Sequence, residues 1–162
     1  MQIVRVDGAL PPGIAELSAT AAAEGVRNVA RLLEAWEDGT QRFDHESAAF
    51  FAANVEGELA GIGGVRREEA AGESAMRMHR FYVHPAYRRL GIGKRIAHAA
   101  MAHALAHAAL LTCNARASAA AGPFWESLGF SRCEGYGYTH IFRTRMNSPA
   151  WQPCAISHKN PN

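Results

Sequence analysis

The sequence predicts one α/β domain. Three observations carry that class: β-rich and helix-like stretches alternate along the 162 residues, two apolar runs flank a glycine turn as a hairpin would, and a stripe of apolar residues recurs at helical spacing. A chain of this length with 48% hydrophobic residues can bury a real core.

Ile3, Val4 and Val6 predict an opening strand, closed by Asp7-Gly8 and Pro11-Pro12-Gly13. In the helical region that follows, Val29, Leu32, Leu33 and Trp36 fall at i, i+3, i+4 and i+7, and Gly39 helps to stop that helix. Phe50 to Val55 and Leu59 to Val65 flank Glu56-Gly57-Glu58 as the arms of the hairpin. Gly61, Gly63 and Gly64 either weaken the second arm or let another element pass close to it. Met76 to Val83 predicts a further strand, Gly91 to His107 a helix, Leu110 to Arg116 a strand, and Phe124 to Leu128 a short helix. Phe130 to Cys133 and Tyr138 to Arg145 predict a closing strand pair. From Asn147 the tail is rich in Pro, Asn and Ser, so the domain is expected over 1–146 and an appendage of low order over 147–162.

A net charge of +2, from 17 basic and 15 acidic side chains, makes no overall field toward nucleic acid or a membrane surface, and neither is expected as a partner. The start MQIVRVDGAL has no long apolar run behind a basic segment, so neither a signal peptide nor a spanning helix is expected. Cys113, Cys133 and Cys154 are odd in number and form no CxxC pair, which fits free thiols in a reducing compartment; cytoplasm is the expectation.

The stretch VHPAYRRLGIGKR, Val83 to Arg95, runs from a strand through Pro85 and a basic segment with Gly91 and Gly93 into a helix. That order suits an anion. A helix N-terminus carries unpaired N–H groups and a partial positive charge, and glycines let a phosphate reach the main chain. Arg88, Arg89, Lys94 and Arg95 add positive charge nearby. Taken alone, the glycines could merely make a tight surface turn. A P-loop would need Ser or Thr after Lys94, where Arg95 stands. A dinucleotide fingerprint would need a third glycine at 96 and an acid near 113, where Ile96 and Cys113 stand.

Arg88-Arg89-Leu90-Gly91-Ile92-Gly93 resembles the (Gln or Arg)-x-x-Gly-x-(Gly or Ala) signature of the GNAT acyl-CoA N-acyltransferases. FWESLGF at 124–130 is similar to the family's short FYEKLGF helix, and NVEGELAGIGG and LLTCNARAS resemble its second, third and fifth strands. The resemblance covers residues 1–146. It implies a mixed, mostly antiparallel sheet of about six or seven strands, splayed between strands four and five and flanked by about four helices. It implies acetyl-CoA as cosubstrate and no metal. Carried over, Arg88, Arg89, Gly91, Ile92, Gly93 and Lys94 would hold the pyrophosphate, Phe81, Tyr82 and Val83 the pantetheine arm as an added strand, and Asn114 and Phe124 the deeper part. A homodimer is the family-based expectation for assembly.

Met76 and Met78 are two apart, as are Phe81 and Val83, but three residues separate Met78 from Phe81, which suggests a β-bulge at His79-Arg80 or an imperfectly alternating strand. Catalysis needs a proton acceptor for the amine and support for the leaving thiolate. His79 or a water chain is the expected base. Many family members use a tyrosine in the short helix as acid, where this chain has Trp125, whose indole does not ionise usefully. Tyr138, then Tyr136, or solvent is expected to substitute, with Tyr138 placed on the face of His140 and Phe142. His98, His103 and His107 share a helix without acidic partners or HExxH and are expected to be edge or surface residues. Trp36, Phe43, His45 and Glu46 together with Tyr136 and Tyr138 are the expected acceptor pocket. The functional expectation is transfer of acetyl from acetyl-CoA to a small-molecule or peptide amine; an acyl-CoA-binding sensor without turnover is the alternative.

Overall fold

A computed structural model describes residues 1–135 and 137–144; Tyr136, Cys154 and the tail expected over 147–162 lie outside the described residues. In chain order the elements are β1 (Gln2–Arg5), α1 (Ile14–Ala23), α2 (Asn28–Glu37), β2 (Ala49–Val55), β3 (Glu58–Ala70), β4 (Glu73–Val83), a 3-10 turn (Pro85–Tyr87), α3 (Ile92–Leu105), β5 (Leu110–Cys113), α4 (Ala121–Ser127), β6 (Ser131–Gly135) and β7 (Tyr138–Arg143). The strands form one seven-stranded sheet in the order β1-β2-β3-β4-β5-β7-β6. Its pairings are antiparallel except that of β4 with β5, which is parallel and covers Ala75–Arg77 against Leu110–Thr112. Beyond that short ladder the two strands part, so the sheet is mixed and splayed as expected.

The first hairpin turns at Glu56 and Gly57, both left-handed (φ 51 and 84), the backbone a two-residue turn needs. A second turn of the same hand sits at Ala71 and Gly72 (φ 52 and 76) and was not anticipated. It extends β3 to Ala70 and starts β4 at Glu73, well past the expected limits of Val65 and Met76. Arg66-Arg67-Glu68-Glu69 lies beyond the expected strand, yet its side chains alternate half-buried and exposed, as on a strand with one sheltered face.

Helices cover the sheet unevenly. On one face, Ala97, Ala100, Met101 and Ala104 of α3 and Trp125 of α4 pack on Met76, Met78, Leu111 and Cys113. On the other, Leu17 and Ala21 of α1 and Val29 and Leu32 of α2 pack on Phe50, Ala52, Ile62 and Tyr82. Each large apolar side chain buried this way contributes about 1.5–3 kcal/mol. The expected helical stripe is real, with Val29 and Leu32 fully buried and Leu33 and Trp36 half-buried. Over β5 to β7 on that second face, a smaller cluster of Ala70, Ala75, Leu110, Cys133 and Tyr138 is built from strands alone. Cys113 is a free, buried thiol, whereas Cys133 is disulfide-bonded, which corrects the expectation of free thiols throughout. Among the described residues no helix is long and apolar enough to cross a membrane.

Close approach explains the glycines of β3. A Cβ on Gly63 would lie 2.5 Å from Phe81 Cε1 and 2.8 Å from Ile96 Cγ2; one on Gly64 would lie 2.5 Å from Phe43 Cε1 and 2.9 Å from Phe50 Cδ2. The two positions therefore point to opposite faces, each under an aromatic ring. The suspected bulge is also present. Ile62 pairs with Tyr82 and Gly64 with His79, so β4 spends three steps where β3 spends two, and Arg80 is left-handed (φ 63). That conformation costs a non-glycine residue about 1–2 kcal/mol.

Candidate active site

After β4 the chain turns through Pro85, where the His84 ring accepts a hydrogen bond from the Ala86 amide (3.0 Å). Arg89 (φ 66) and Gly91 (φ 76) are left-handed on either side of the exposed Leu90, an alternation that turns successive N–H groups into one concavity. Gly91 caps α3 with no side-chain partner, and Arg95 donates to the Gly91 carbonyl (3.1 Å). The amides ahead of Arg95 in the first turn have no intrahelical acceptor, so an anion can take them. The two glycines serve different ends. A Cβ on Gly91 would meet nothing within 4 Å, whereas one on Gly93 would lie 3.2 Å from Phe124 Cε2 and 3.5 Å from Val83 Cγ2, so Gly93 seats α3 against α4. Buried Ile92 anchors the turn from below beside Ala53, Ala60 and Ile96.

Arg88 departs from its expected role. Its Nη1 and Nη2 donate to Glu24 (2.8 and 2.6 Å), its Nε donates to the Val83 carbonyl (3.1 Å), and its guanidinium lies 5.6 Å from the Tyr82 ring centroid. The Tyr82 hydroxyl donates to the same Glu24 carboxylate. The Arg88 guanidinium, and then the Tyr82 hydroxyl, hold Glu24 below the usual carboxylate range. The side chain thus ties the turn to the end of α1, and the Arg88 amide donates to the Pro85 carbonyl (3.3 Å), so both are committed within the chain. Arg89 and Lys94 are exposed.

The gap between β4 and β5 opens past Arg77 and Thr112. Phe81 stands on its β4 side, with its ring edge-on to Trp125 at 4.9 Å; Trp125 also meets Phe124 at 5.0 Å and Phe130 at 5.1 Å. Trp125, only 5% exposed, is a core brace for β4. On the β5 side, Asn114 Oδ1 accepts from the Arg116 amide (3.0 Å) and shapes the loop. The edge carbonyls of Phe81 and Val83 already accept from Asn28 Nδ2 (2.7 Å) and Arg88 Nε (3.1 Å).

His79 sits at the bulge as expected but is a poor proton acceptor. Arg80 Nε, which can only donate, points at Gln41 Oε1 (3.3 Å), so Gln41 turns its NH₂ toward His79 Nδ1 (2.9 Å) and occupies that lone pair. Burial, and then Arg80, Arg66 and Arg77, push the imidazole down from 6.5 to about 2. The ring is neutral in the folded chain. In the unfolded chain it protonates below 6.5, so between 6.5 and about 2 the unfolded state binds more protons and stability falls as pH falls. Melting curves from about pH 7.5 down to about pH 4.5 should show this limb, and His79→Gln should flatten it in part, since burial lowers His103 as well. An unchanged slope would assign the loss to other groups.

Tyr138 does not take the expected face. The β6–β7 register shifts between Arg132 and Gly135, and the Tyr138 ring lies across Gly135, 8% exposed, in the cluster of Leu110 and Cys133 with Ile141 beside it. Phe142 packs with the opposite cluster. Tyr136, the other substitute acid, lies outside the described residues. Of the expected acceptor pocket, Phe43 and Trp36 are packed in the core with Phe50, and His45 accepts from the Ser47 amide (3.2 Å). The His103 and His107 rings meet at 4.8 Å, tilted by 42°, and His103 Nε2 meets the Ser47 carbonyl at 2.9 Å. Among the described residues no three His, Cys, Asp or Glu side chains gather as metal ligands.

Two networks escaped sequence reading. Thr139 Oγ1 accepts from the Ala115 amide (2.9 Å) and meets His140 Nδ1 (2.8 Å), whose Nε2 reaches Glu126 (3.1 Å); this chain pins the end of β5 to α4 at the gap. Glu68 forms the second, accepting from Arg77 Nη1 (3.1 Å) and Thr112 Oγ1 (2.8 Å), and its signal was a period of two across VRREE and MRMHR.

Residues 17–144 match the family model described as acetyltransferase (GNAT) domain. The chain belongs to the GNAT acetyltransferase family. A protein of Exiguobacterium sp. 255-15 assigned as an acetyltransferase is similar at 26% identity and a TM-score of 0.76, over 88% of this chain and 92% of that one. A GNAT-family acetyltransferase of Staphylococcus aureus Mu50 matches at 12% identity and 0.61, over 86% and 95%. YhbS of Escherichia coli, a GNAT N-acetyltransferase in complex with CoA, matches at 14% and 0.61, over 88% and 80%. The latter two show the fold alone. No curated protein matches the chain. Membership in this GNAT family makes the chain an acyltransferase that draws its acyl group from an acyl-CoA.

Proposed function

We propose that this GNAT acyltransferase moves the acetyl group of acetyl-CoA to a primary amine by direct attack in a ternary complex. The carrying observation is continuity: the open amides at 89–94 lead along the edge of β4 into the gap beside β5. Amides of Arg89, Gly91, Ile92, Gly93 and Lys94 would hold the pyrophosphate, with Arg88 bracing the turn through Pro85 and Glu24. The edge at Phe81, Tyr82 and Val83 would take the pantetheine arm, which must share or displace the Asn28 contact to Phe81. Phe124 and Asn114 would flank the deeper part of the arm.

Direct attack is favoured over a covalent enzyme intermediate by the state of Cys113, the cysteine at the gap. It is 1% exposed, and burial pushes its thiol up and away from the reactive thiolate. The amine nitrogen attacks the thioester carbonyl, the C–S bond breaks, the ammonium proton leaves to water, and solvent returns a proton to the CoA thiolate. With His79 neutral and committed, kcat/KM should rise with pH along the acceptor's own deprotonation, with no added step from the imidazole.

Acetyl-CoA should raise the melting temperature with ligand excess, by about 2.7 kcal/mol of stabilisation at a hundredfold excess over Kd, and a pantetheine fragment without phosphates should not. Equal stabilisation by both would remove the pyrophosphate reading. CoA thiol release with amine pools then separates transfer from binding: stabilisation with no release from any amine would favour the acyl-CoA sensor.

A further inference from the structure

The α1–α2 face of the sheet carries, beside the gap, an excess of guanidinium groups. Gly64 fixes which face this is, because its Cβ position points at Phe43 and Phe50 on the α1–α2 side. Two residues on, Arg66 shares that side; His79 and Arg77 are the β4 partners of Gly64 and Arg66, and Thr112 is the β5 partner of Arg77. Arg66, Arg77 and Arg80 thus gather where β4 bulges and leaves β5.

Counter-charge does not match them. Glu68 is spent on Arg77 Nη1 (3.1 Å) and Thr112 Oγ1 (2.8 Å). Among the described residues Arg66 has no carboxylate partner, and its Nε is buried with no hydrogen-bond partner at all. Arg80 offers its Nε to the neutral amide of Gln41, and its left-handed backbone at the bulge holds it there. Burial and the neighbouring arginines lower both Arg66 and Arg80 from their ordinary values, against the weaker opposing pull of Glu68 on Arg66 and of Glu34 on Arg80. Half-buried guanidiniums left unpaired are costly, and their planar forks match carboxylate and phosphate oxygens.

We propose that the acceptor is an amine bearing an anionic group, a carboxylate or a phosphate, which Arg66 and Arg80 receive while the amine reaches the thioester in the gap. This rests on the acetyl transfer proposed above. The anion end would dock on that face beside the end of α2 and the amine end would point between β4 and β5.

The test compares acceptors that differ only in charge. An ω-amino carboxylate and an aminoalkyl phosphate are set against the amino alcohol of the same length, over a range of lengths, at saturating acetyl-CoA with CoA release followed. The better anionic class should exceed the alcohol by about 10–100-fold in kcat/KM, and which anion wins separates carboxylate from phosphate. Arg66→Gln and Arg80→Gln should each bring that ratio toward one, and Arg66→Lys and Arg80→Lys should restore part of it, since charge returns without the fork. Equal rates across the matched set, or a ratio that survives both glutamine variants, overturns the inference. If no member turns over, the N-acetylated products are compared as ligands of the CoA complex. Anionic products should then raise the melting temperature above neutral ones in the parent and not in the glutamine variants, and a charge-independent shift overturns the proposal. Acetyl-CoA's own thermal shift is recorded for every variant. Its absence from the parent would fail the acyl-CoA reading itself; its presence without charge preference fails only this inference.

Discussion

Gly91→Val is expected to abolish acetyl-CoA binding in a chain that still folds. Gly91 sits at φ 76, a region a β-branched residue does not adopt without strain, and it is the N-cap from which α3 starts. Nothing of the protein lies within 4 Å of its would-be Cβ, so the substitution creates no core clash. The damage falls on the turn: either the backbone leaves the left-handed region and scatters the amides, or it stays and an isopropyl group covers the concavity. Affinity should fall at least about a hundredfold, or about 2.7 kcal/mol. Buried Ile92 still holds α3 to β2 and β3, so the melting temperature should drop only by about 2–4 °C for each kcal/mol of strain. Asn tolerates the left-handed region, so Gly91→Asn should fall between parent and valine variant. Titration calorimetry with acetyl-CoA reads this directly, and parental affinity in folded Gly91→Val would refute the phosphate role of the turn.

Gly63→Val is expected to produce the largest loss of stability. Its Cβ would lie 2.5 Å from Phe81 Cε1, 2.6 Å from Phe81 Cδ1 and 2.8 Å from Ile96 Cγ2, all below any real contact distance. Phe81 is itself held edge-on by Trp125, and Ile96 is fully buried, so neither yields cheaply. Overpacking of this kind costs about 3 kcal/mol, at the upper end of its range, or about 6–12 °C in melting temperature. Because Phe81 borders the gap, acetyl-CoA affinity should fall along with stability. Trimming the obstacle should help: Gly63→Ala with Phe81→Leu should recover stability relative to Gly63→Ala alone. A Gly63→Val chain that melts like the parent would show that the ring is not seated as described.

The signature turn, both arms of the first hairpin, the α2 stripe and the β4 bulge were legible because each is a local matter of spacing. A left-handed glycine before a helix, or a three-residue step in a two-residue alternation, leaves its mark within a few positions of the chain. The same holds for family membership, which rests on Arg88 to Gly93 and Phe124 to Phe130 standing at a characteristic separation.

What the sequence could not determine is which distant groups meet. Arg88 looked free to grip phosphate until α1 brought Glu24 beneath it, 64 residues away in the chain. His79 looked like a base until Gln41 took its lone pair and burial among Arg66, Arg77 and Arg80 made its charge too costly. Tyr138 obeyed its alternation on paper, but a register shift with β6 turned it to the other cluster. Arg66 to Glu69 lay outside the expected strand, which stopped at Val65, and only pairing with β4 made it a strand with one sheltered face. Backbone conformation depends on neighbours in sequence, so local spacing determined the turn and the α2 stripe, and the resemblance of two motifs gave the family. Protonation, ion pairing and the arginine-rich face depend on the dielectric and charge supplied by residues dozens of positions apart, and only the tertiary packing decided them.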